Sequence, residues 1–145
     1  MMNINDIREM ANRDMVMDET ELNIESMKTP QLQNKYLIMY TDEKLILGKM
    51  KSDMSIIKKK KWLYYTGKIS QEELEFLNWE PFDLNILKTD IDKFLDSDDD
   101  IILIKNKVLL QQEKVDYLES IIKIINNRQW LIRATIDWLK FTNGV

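Results

Sequence analysis

A run of four lysines followed at once by aromatic residues is the segment of this sequence best suited to bind a ligand. Lysine ammonium groups attract the phosphates of a nucleic acid, and aromatic rings stack on bases that are not paired. The spacing therefore predicts contact with a single nucleic-acid strand, whereas a solvated cationic helix end is the alternative. The predicted contact residues are Lys58, Lys59, Lys60, Lys61, Trp62, Tyr64, Tyr65 and Lys68.

The lysine run cannot lie on one face of a helix. Successive helical residues are rotated by about 100°, so four consecutive lysines surround the helix. An apolar stripe at helical spacing precedes the run and continues onto Lys61; its members are Ile46, Met50, Met54 and Ile57. The stripe becomes cationic at its C-terminal end, so we expect this part of the helix to project from the core or to line a charged groove.

The segment after the lysines is strongly acidic. Residues 35–68 contain 9 lysines and 3 acidic residues, whereas residues 69–103 contain 2 lysines and 11 acidic residues. The aspartates lack the glycine and the closing glutamate of an EF-hand, so no metal site is predicted. Acidic residues suit the first turn of a helix, and the segment could also pair with a neighbouring subunit's lysines or shield them until DNA competes. The clustered aspartates are Asp90, Asp92, Asp96, Asp98, Asp99 and Asp100.

The composition excludes most enzyme classes. The chain has no Cys and no His, which removes thiolate metal sites, cysteine nucleophiles, the usual general base and the Ser-His-Asp triad. It also has no glycine-rich phosphate loop. We therefore expect no catalytic residues, no cofactor and no enzymatic activity, with a Mg²⁺-dependent nuclease built on the aspartates as a distant alternative.

The sequence predicts an all-α protein of several helices. Its 145 residues include 44% hydrophobic residues but only 3 Gly and 2 Pro, too few for the turns of a β-sandwich or barrel. No stretch approaches the ~18 apolar residues of a membrane span, and the first residues do not resemble a signal peptide. Helices are predicted over residues 3–13, over 21–27 before Pro30, and over 42–66 between a cap at Thr41 and Gly67, with Thr29-Pro30 as an alternative helix start. Further helices are predicted after the capping box at Ser70, over 89–95, and from Ser97 to a break at 126–127.

The C-terminal third carries a sustained heptad pattern. Ten of twelve positions at alternating spacings of three and four between residues 101 and 139 are apolar. A seam of this kind is typical of helix–helix packing, and the additional apolar residues around it require more than one neighbour. We expect this region to form the interface of a homo-oligomer. The predicted interface residues are Val115, Leu118, Ile122, Ile125, Trp130, Ile132, Ile136 and Leu139.

Two patches resemble a known family. Lysines leading into Tyr64-Tyr65-Thr66-Gly67-Lys68, and the segment 133–144 with Trp138, Lys140 and Phe141, resemble the UvsY family of recombination mediators of T4-like bacteriophages. The resemblance covers roughly residues 14–144 and implies a non-enzymatic protein that binds single-stranded DNA. It places the family's basic motif on Lys59, Lys60 and Lys61, with Lys where Arg also occurs. Lysine keeps the charge but lacks the bidentate fork.

The resemblance also implies partners and an assembly. They are a RecA-like phage recombinase, a phage single-strand-binding protein, and a hexameric or heptameric ring in the cytoplasm of the infected host. We expect one helical domain over residues 1–145, with N-terminal helices and the basic segment in 1–68, an acidic connector in 69–100 and oligomerisation helices in 101–144. The alternative function is a helical protein–protein adaptor that does not bind nucleic acid.

Overall fold

The computed structural model describes residues 2–144, and all regular elements in that range are helical. This confirms the predicted all-α class, with a long central helix that contains the lysine run. The elements are α1 (Ile4–Asp14), α2 (Leu22–Tyr65), α3 (Gln71–Phe76), a 3₁₀ turn (Lys88–Asp90), α4 (Ile91–Asp96), α5 (Asp99–Asn126) and α6 (Arg128–Thr142). None of the helices in the described range is both long and apolar enough to span a membrane.

Helix α2 runs for 44 residues and passes through Pro30 without ending. The predicted stop at Pro30 and the predicted new start at Thr41 are therefore wrong. Pro30 removes the backbone N–H that would bond the carbonyl of Ser26, which normally weakens a helix. The Thr41 hydroxyl donates to the Ile38 carbonyl at 3.0 Å, so it bonds back into the helix instead of capping one.

The C-terminal end of α2 is where the sequence places it. Helix α2 ends at Tyr65, and Gly67 adopts a left-handed conformation with a φ of 72°. The Lys68 N–H donates to the Leu63 carbonyl at 2.9 Å, which satisfies one of the last free carbonyls of the helix. Glycine tolerates this conformation because it has no Cβ.

The chain forms two compact units. One comprises the chain up to Leu45 together with the part from Gln111 onward, and the other comprises Ile46–Leu110. The predicted boundaries at 68/69 and 100/101 stay a prediction. In the first unit, α1, α2 and α5 contribute the buried residues Ile7, Ala11, Tyr36, Leu118, Ile121 and Ile125. The expected break between α5 and α6 is confirmed at Asn127.

The second unit contains the short helices and the acidic segment. Ser70 caps α3, its hydroxyl accepting the Glu73 N–H at 3.2 Å, as half of the predicted capping box requires. The start of α5 differs from the prediction: Asp98, and not Ser97, accepts the Ile101 N–H at 3.0 Å. The Ser97 hydroxyl instead donates to the Lys93 carbonyl at 2.7 Å. Asp98 thus acts as the N-terminal cap that an acidic side chain provides well.

Candidate nucleic-acid interface

The four lysines of the run have different surroundings, as their distribution around the helix requires. Lys58 and Lys59 are exposed, Lys60 is half-buried, and Lys61 is only 6% exposed. The Lys60 ammonium lies 3.6 Å from the Glu73 carboxylate. Lys58 and Lys59 take part in no ion pair among residues 2–144. These two lysines are therefore the members of the run best placed to meet phosphates.

Lys61 is held inside the second unit by acidic residues of α5. Its ammonium lies 3.1 Å from the Asp98 carboxylate and 2.8 Å from the Asp100 carboxylate. It also lies 4.2 Å from the centre of the Trp79 ring, within the range of a cation–π interaction. Burial lowers the pKa of Lys61, but the two carboxylates outweigh it and leave the pKa raised. Lys61 therefore stays charged and serves as an internal ion-pair partner.

Asp98 joins the lysine segment to the aromatic residues. The Tyr65 hydroxyl donates to Asp98 at 2.5 Å, in addition to the bonds from Lys61 and the Ile101 N–H. Burial raises the pKa of Asp98, but these donors together hold it below the ordinary value for aspartate. The pKa of Tyr65 is raised by burial and by the adjacent Asp98 charge. The acidic segment thus pairs with the lysine segment within one chain.

The two tyrosines belong to an aromatic cluster of the chain itself. The Tyr65 ring lies edge-on to Phe82 with centroids 5.0 Å apart, and the Tyr64 ring lies 5.3 Å from that of Trp79. Phe94 completes the cluster, 5.7 Å from Tyr65. Rings packed in this way position the end of α2 and are not free to stack on bases. Their predicted role as DNA contacts stays a prediction that this packing does not favour.

Trp62 and Lys68 are exposed, as Lys58 and Lys59 are. Trp62 is 39% exposed, and the Lys68 ammonium lies 4.8 Å from the centre of its ring. Lys58 precedes Trp62 by one helical turn, so the two share a side of α2. We define the basic face as Lys58, Lys59, Trp62 and Lys68. It combines cations with one accessible ring, the composition that binds a single strand.

Sequence reasoning missed two residues near this face. Lys51 is exposed and precedes Lys58 by seven residues, which places both on one side of α2. This seven-residue spacing is visible in the sequence and indicates that Lys51 lies on the same side of the helix as Lys58. Lys88 is exposed and lies with Trp62 and Lys68 along the same cavity. That proximity arises from the fold, and nothing in the local sequence indicates it.

The clustered aspartates do not converge on a metal-binding geometry within the described part of the chain. Asp98 and Asp100 pair with Lys61, and Asp90 lies 3.4 Å from the Lys93 ammonium on the next turn. These three carboxylates therefore form ion pairs within the chain.

The predicted oligomer-interface residues fall into two groups. Four are buried within the chain, namely Val115, Leu118, Ile125 and Ile132, and Ile122 packs partly against the same core. The other three are exposed, namely Trp130, Ile136 and Leu139. The interface stays a prediction, and only the second group has side-chain surface available to another subunit in this conformation.

The chain matches a known family over nearly its whole length. Residues 10–145 match the family described as recombination, repair and ssDNA binding protein UvsY. No curated protein matches the chain significantly.

Crystal structures of the recombination mediator protein UvsY from bacteriophage T4 share the fold. The lattice type II structure superposes with a TM-score of 0.87 at 19% identity, covering 99% of this chain and 100% of that one. The type IV structure gives 0.85 at 18% identity, with 97% and 99% covered. The type I structure gives 0.78 at 18% identity, with 94% and 98% covered. The chain belongs to the UvsY family of recombination, repair and single-stranded DNA-binding proteins.

Proposed function

We propose that this protein is a recombination mediator that binds single-stranded DNA through the basic face. The observation that carries the proposal is the exposure of Lys58 and Lys59, which have no carboxylate partner within residues 2–144, beside the accessible ring of Trp62. Family membership supports the same function. In this proposal the lysines neutralise the phosphates of the strand, which passes along Trp62.

The proposed contact is largely independent of base sequence. Lysine binds phosphate as a point charge and releases condensed counterions, so affinity falls steeply as salt rises. The net charge of the chain, −4, does not oppose this, because the strand meets the basic face and not the whole surface, and that face carries three exposed lysines, Lys58, Lys59 and Lys68. The face that meets the strand remains locally cationic.

We also propose that the chain assembles as a homo-oligomer through α6, as a hexameric or heptameric ring. The support is a set of large side chains that α6 leaves in solvent: Trp130 is 71% exposed, Trp138 is 64% exposed and Phe141 is 77% exposed. Exposed apolar groups of this density mark interaction sites. A ring presents several basic faces to one strand, so weak individual contacts become strong avidity.

In the mediator step, several basic faces constrain the path of one strand. The constrained strand loses affinity for the phage single-strand-binding protein, and contacts with the RecA-like recombinase favour its assembly there. The protein acts without catalysis, in the cytoplasm of the infected bacterium. Recombinase ATP hydrolysis on strands coated with single-strand-binding protein measures this step, and we expect this protein to shorten its lag.

Fluorescence anisotropy of a labelled single-stranded oligonucleotide tests the DNA-binding proposal. We expect tight binding at low salt that weakens steeply at moderate salt. A helical adaptor, the alternative function, would give a salt-sensitive oligomer with no DNA affinity. Absence of binding at low salt, with an intact oligomer in the same sample, would contradict the proposal and favour the adaptor.

A further inference from the structure

A cavity opens beside the basic face in the second unit. It has a volume of about 540 Å³ and lies between the end of α2, the turn at Gly67, the extended segment 82–86 and the start of α4. This volume falls within the range of about 300–1,000 Å³ that is typical of small-ligand sites. Its aromatic lining residues are Trp62, Tyr65 and Phe82.

Contacts within the chain hold two of the aromatic side chains that line the cavity. Tyr65 and Phe82 pack edge-on with centroids 5.0 Å apart, and the Tyr65 hydroxyl is anchored on Asp98. Trp62, by contrast, keeps more than a third of its surface in solvent. The cavity thus offers one accessible ring beside rigid apolar walls, which reduces the entropy lost when a flat ligand binds.

The charges of the lining favour a neutral occupant. Two lysines, Lys68 and Lys88, and two aspartates, Asp83 and Asp92, all exposed, lie along the cavity. A phosphate or a strongly charged peptide would meet both signs, whereas a nucleobase is uncharged and presents both donors and acceptors. The lysines can still reach a phosphate that lies at the cavity mouth.

The cavity is continuous with the proposed strand contact. Trp62 belongs to both, and Lys58 precedes it by one turn, about 5.4 Å along the helix axis. A strand whose phosphate meets Lys58 therefore has an adjacent base within reach of the cavity. The Lys68 ammonium lies over the Trp62 ring, 4.8 Å from its centre, so a nucleotide at this ring would have a cation beside it.

We propose that this cavity is a nucleobase subsite, which takes one unpaired base of the bound strand and stacks it on Trp62. The inference rests on the proposed function, since it requires a strand on the basic face. It adds that binding depends on bases as well as phosphates. A base in a duplex cannot enter, so the subsite discriminates against double-stranded DNA.

Two single-stranded oligonucleotides separate the contribution of the bases to binding affinity from that of the phosphates. One labelled strand carries bases, and a second strand of equal length is abasic, with the same phosphates. We expect the wild-type protein to bind the first strand on the order of 10-fold more tightly, the effect expected of a stacked base. Trp62→Ala is expected to remove this preference while leaving affinity for the abasic strand unchanged.

Two further variants keep the test decisive if Trp62→Ala perturbs the fold. Trp62→Phe keeps an aromatic ring and is expected to retain most of the preference. Phe76→Ala removes another exposed ring of the same unit, 85% exposed, and is expected to change neither affinity. Circular dichroism and light scattering confirm equal helicity and equal oligomer mass.

The outcomes distinguish this inference from the proposed function. If the wild-type protein binds neither strand at low salt, the proposed function fails and the subsite fails with it. If it binds both strands equally, or if Trp62→Ala keeps the preference, the subsite is overturned while strand binding stands. A Trp62→Ala variant with unchanged affinity for the strand that carries bases would overturn the subsite in the same way.

Discussion

Lys59 and Lys61 are separated by one residue, yet their side chains have opposite surroundings. Lys59 is exposed, whereas Lys61 is buried between Asp98 and Asp100. Helical rotation explains the difference, because Lys61 continues the stripe that includes Ile57. One lysine is therefore available to a ligand, and the other stabilises the second unit.

We predict that Lys61→Ala destabilises the protein and that Lys59→Ala does not. Removing Lys61 leaves Asp98 buried without its cation, which costs about 3–5 kcal/mol of unfolding free energy. Lys59→Ala is expected to change it by less than about 0.5 kcal/mol, since the side chain is in solvent. Urea unfolding of the two variants measures both effects. Equal stabilities would contradict the assignment of Lys61 as structural.

The depressed pKa of Asp98 predicts a loss of stability in acid. The carboxylate is favoured in the folded state, so its contribution is present above the unfolded value, about 3.9, and is lost as pH falls through the lower folded value. Asp98→Asn is expected to be less stable than the wild type at pH 7, with the difference in unfolding free energy narrowing as pH falls below about 3.9. Urea unfolding at a series of pH values checks this. A difference that is independent of pH would contradict it.

The sequence predicts part of the site for definite reasons. The exposure of Lys58 and Lys59 and the burial at Lys61 follow from helical rotation and the position of the apolar stripe. The partners of Lys61 do not follow from these local patterns, because Asp98 lies 37 positions further along the chain. The aromatic cluster around Tyr65 is non-local for the same reason, and this is why the tyrosines were predicted to face a ligand.

In helix α2, the side chain of Arg128, which is distant in sequence, contacts the helix near its interruption at Pro30. The Arg128 guanidinium donates to the Glu25 carbonyl oxygen at 2.8 Å, to the Glu25 carboxylate at 2.6 Å and to the Thr29 hydroxyl at 3.1 Å. These contacts lie in the turn that leads into Pro30. Arg128 therefore stabilises the helix where proline removes a hydrogen bond. The prediction of a stop at Pro30 relied on local rules, which this contact overrides.

We predict that Arg128→Ala destabilises the protein by about 1–3 kcal/mol, because Glu25 keeps its ion pair with Lys28 but loses the hydrogen bonds from Arg128. Arg128→Lys is expected to fall between the wild type and the alanine variant, since lysine keeps the charge but cannot form the fork. Thermal unfolding followed by circular dichroism measures the series. Arg133→Ala, at an exposed site on the same helix, is the control. Equal losses at both arginines would contradict the role of Arg128.

The heptad pattern of α5 and α6 predicts that side chains are buried. It does not predict whether they are buried within one chain or between subunits. Leu118 and Ile125 satisfy the pattern and lie in the core of the first unit. Ile136 and Leu139 satisfy the same pattern and are exposed. Apolar spacing records only that a side chain avoids water, so it cannot separate an internal core from a subunit contact. The structure makes that separation residue by residue.

Oligomerisation is proposed to repeat the cationic contact of the second unit several times in one assembly. Each copy offers few cations, so affinity depends on the number of copies that reach one strand. Trp138 and Phe141, whose ring centroids are 5.9 Å apart, form an exposed aromatic pair near the end of α6. This pair is the natural place to weaken the assembly without touching the basic face.

We predict that Trp138→Ser with Phe141→Ser lowers the oligomer mass while helicity is retained. The substitutions remove exposed apolar surface and leave the buried core intact. Light scattering after gel filtration measures the mass, and apparent DNA affinity is expected to fall with it through lost avidity. Phe76→Ser, at an exposed ring on α3, is the matched control. An unchanged mass would contradict the assignment of α6 as the interface.

Lys58 and Lys59 are proposed to bind the phosphates of a single strand. Anisotropy at a series of salt concentrations, for the wild type and for Lys58→Ala/Lys59→Ala, tests this proposal. We expect weaker binding for the variant and a slope of log K against log salt that is shallower by about 1 or more, with stability and oligomer mass unchanged. An unchanged affinity and slope in a folded, fully assembled variant would show that these lysines do not bind the phosphates.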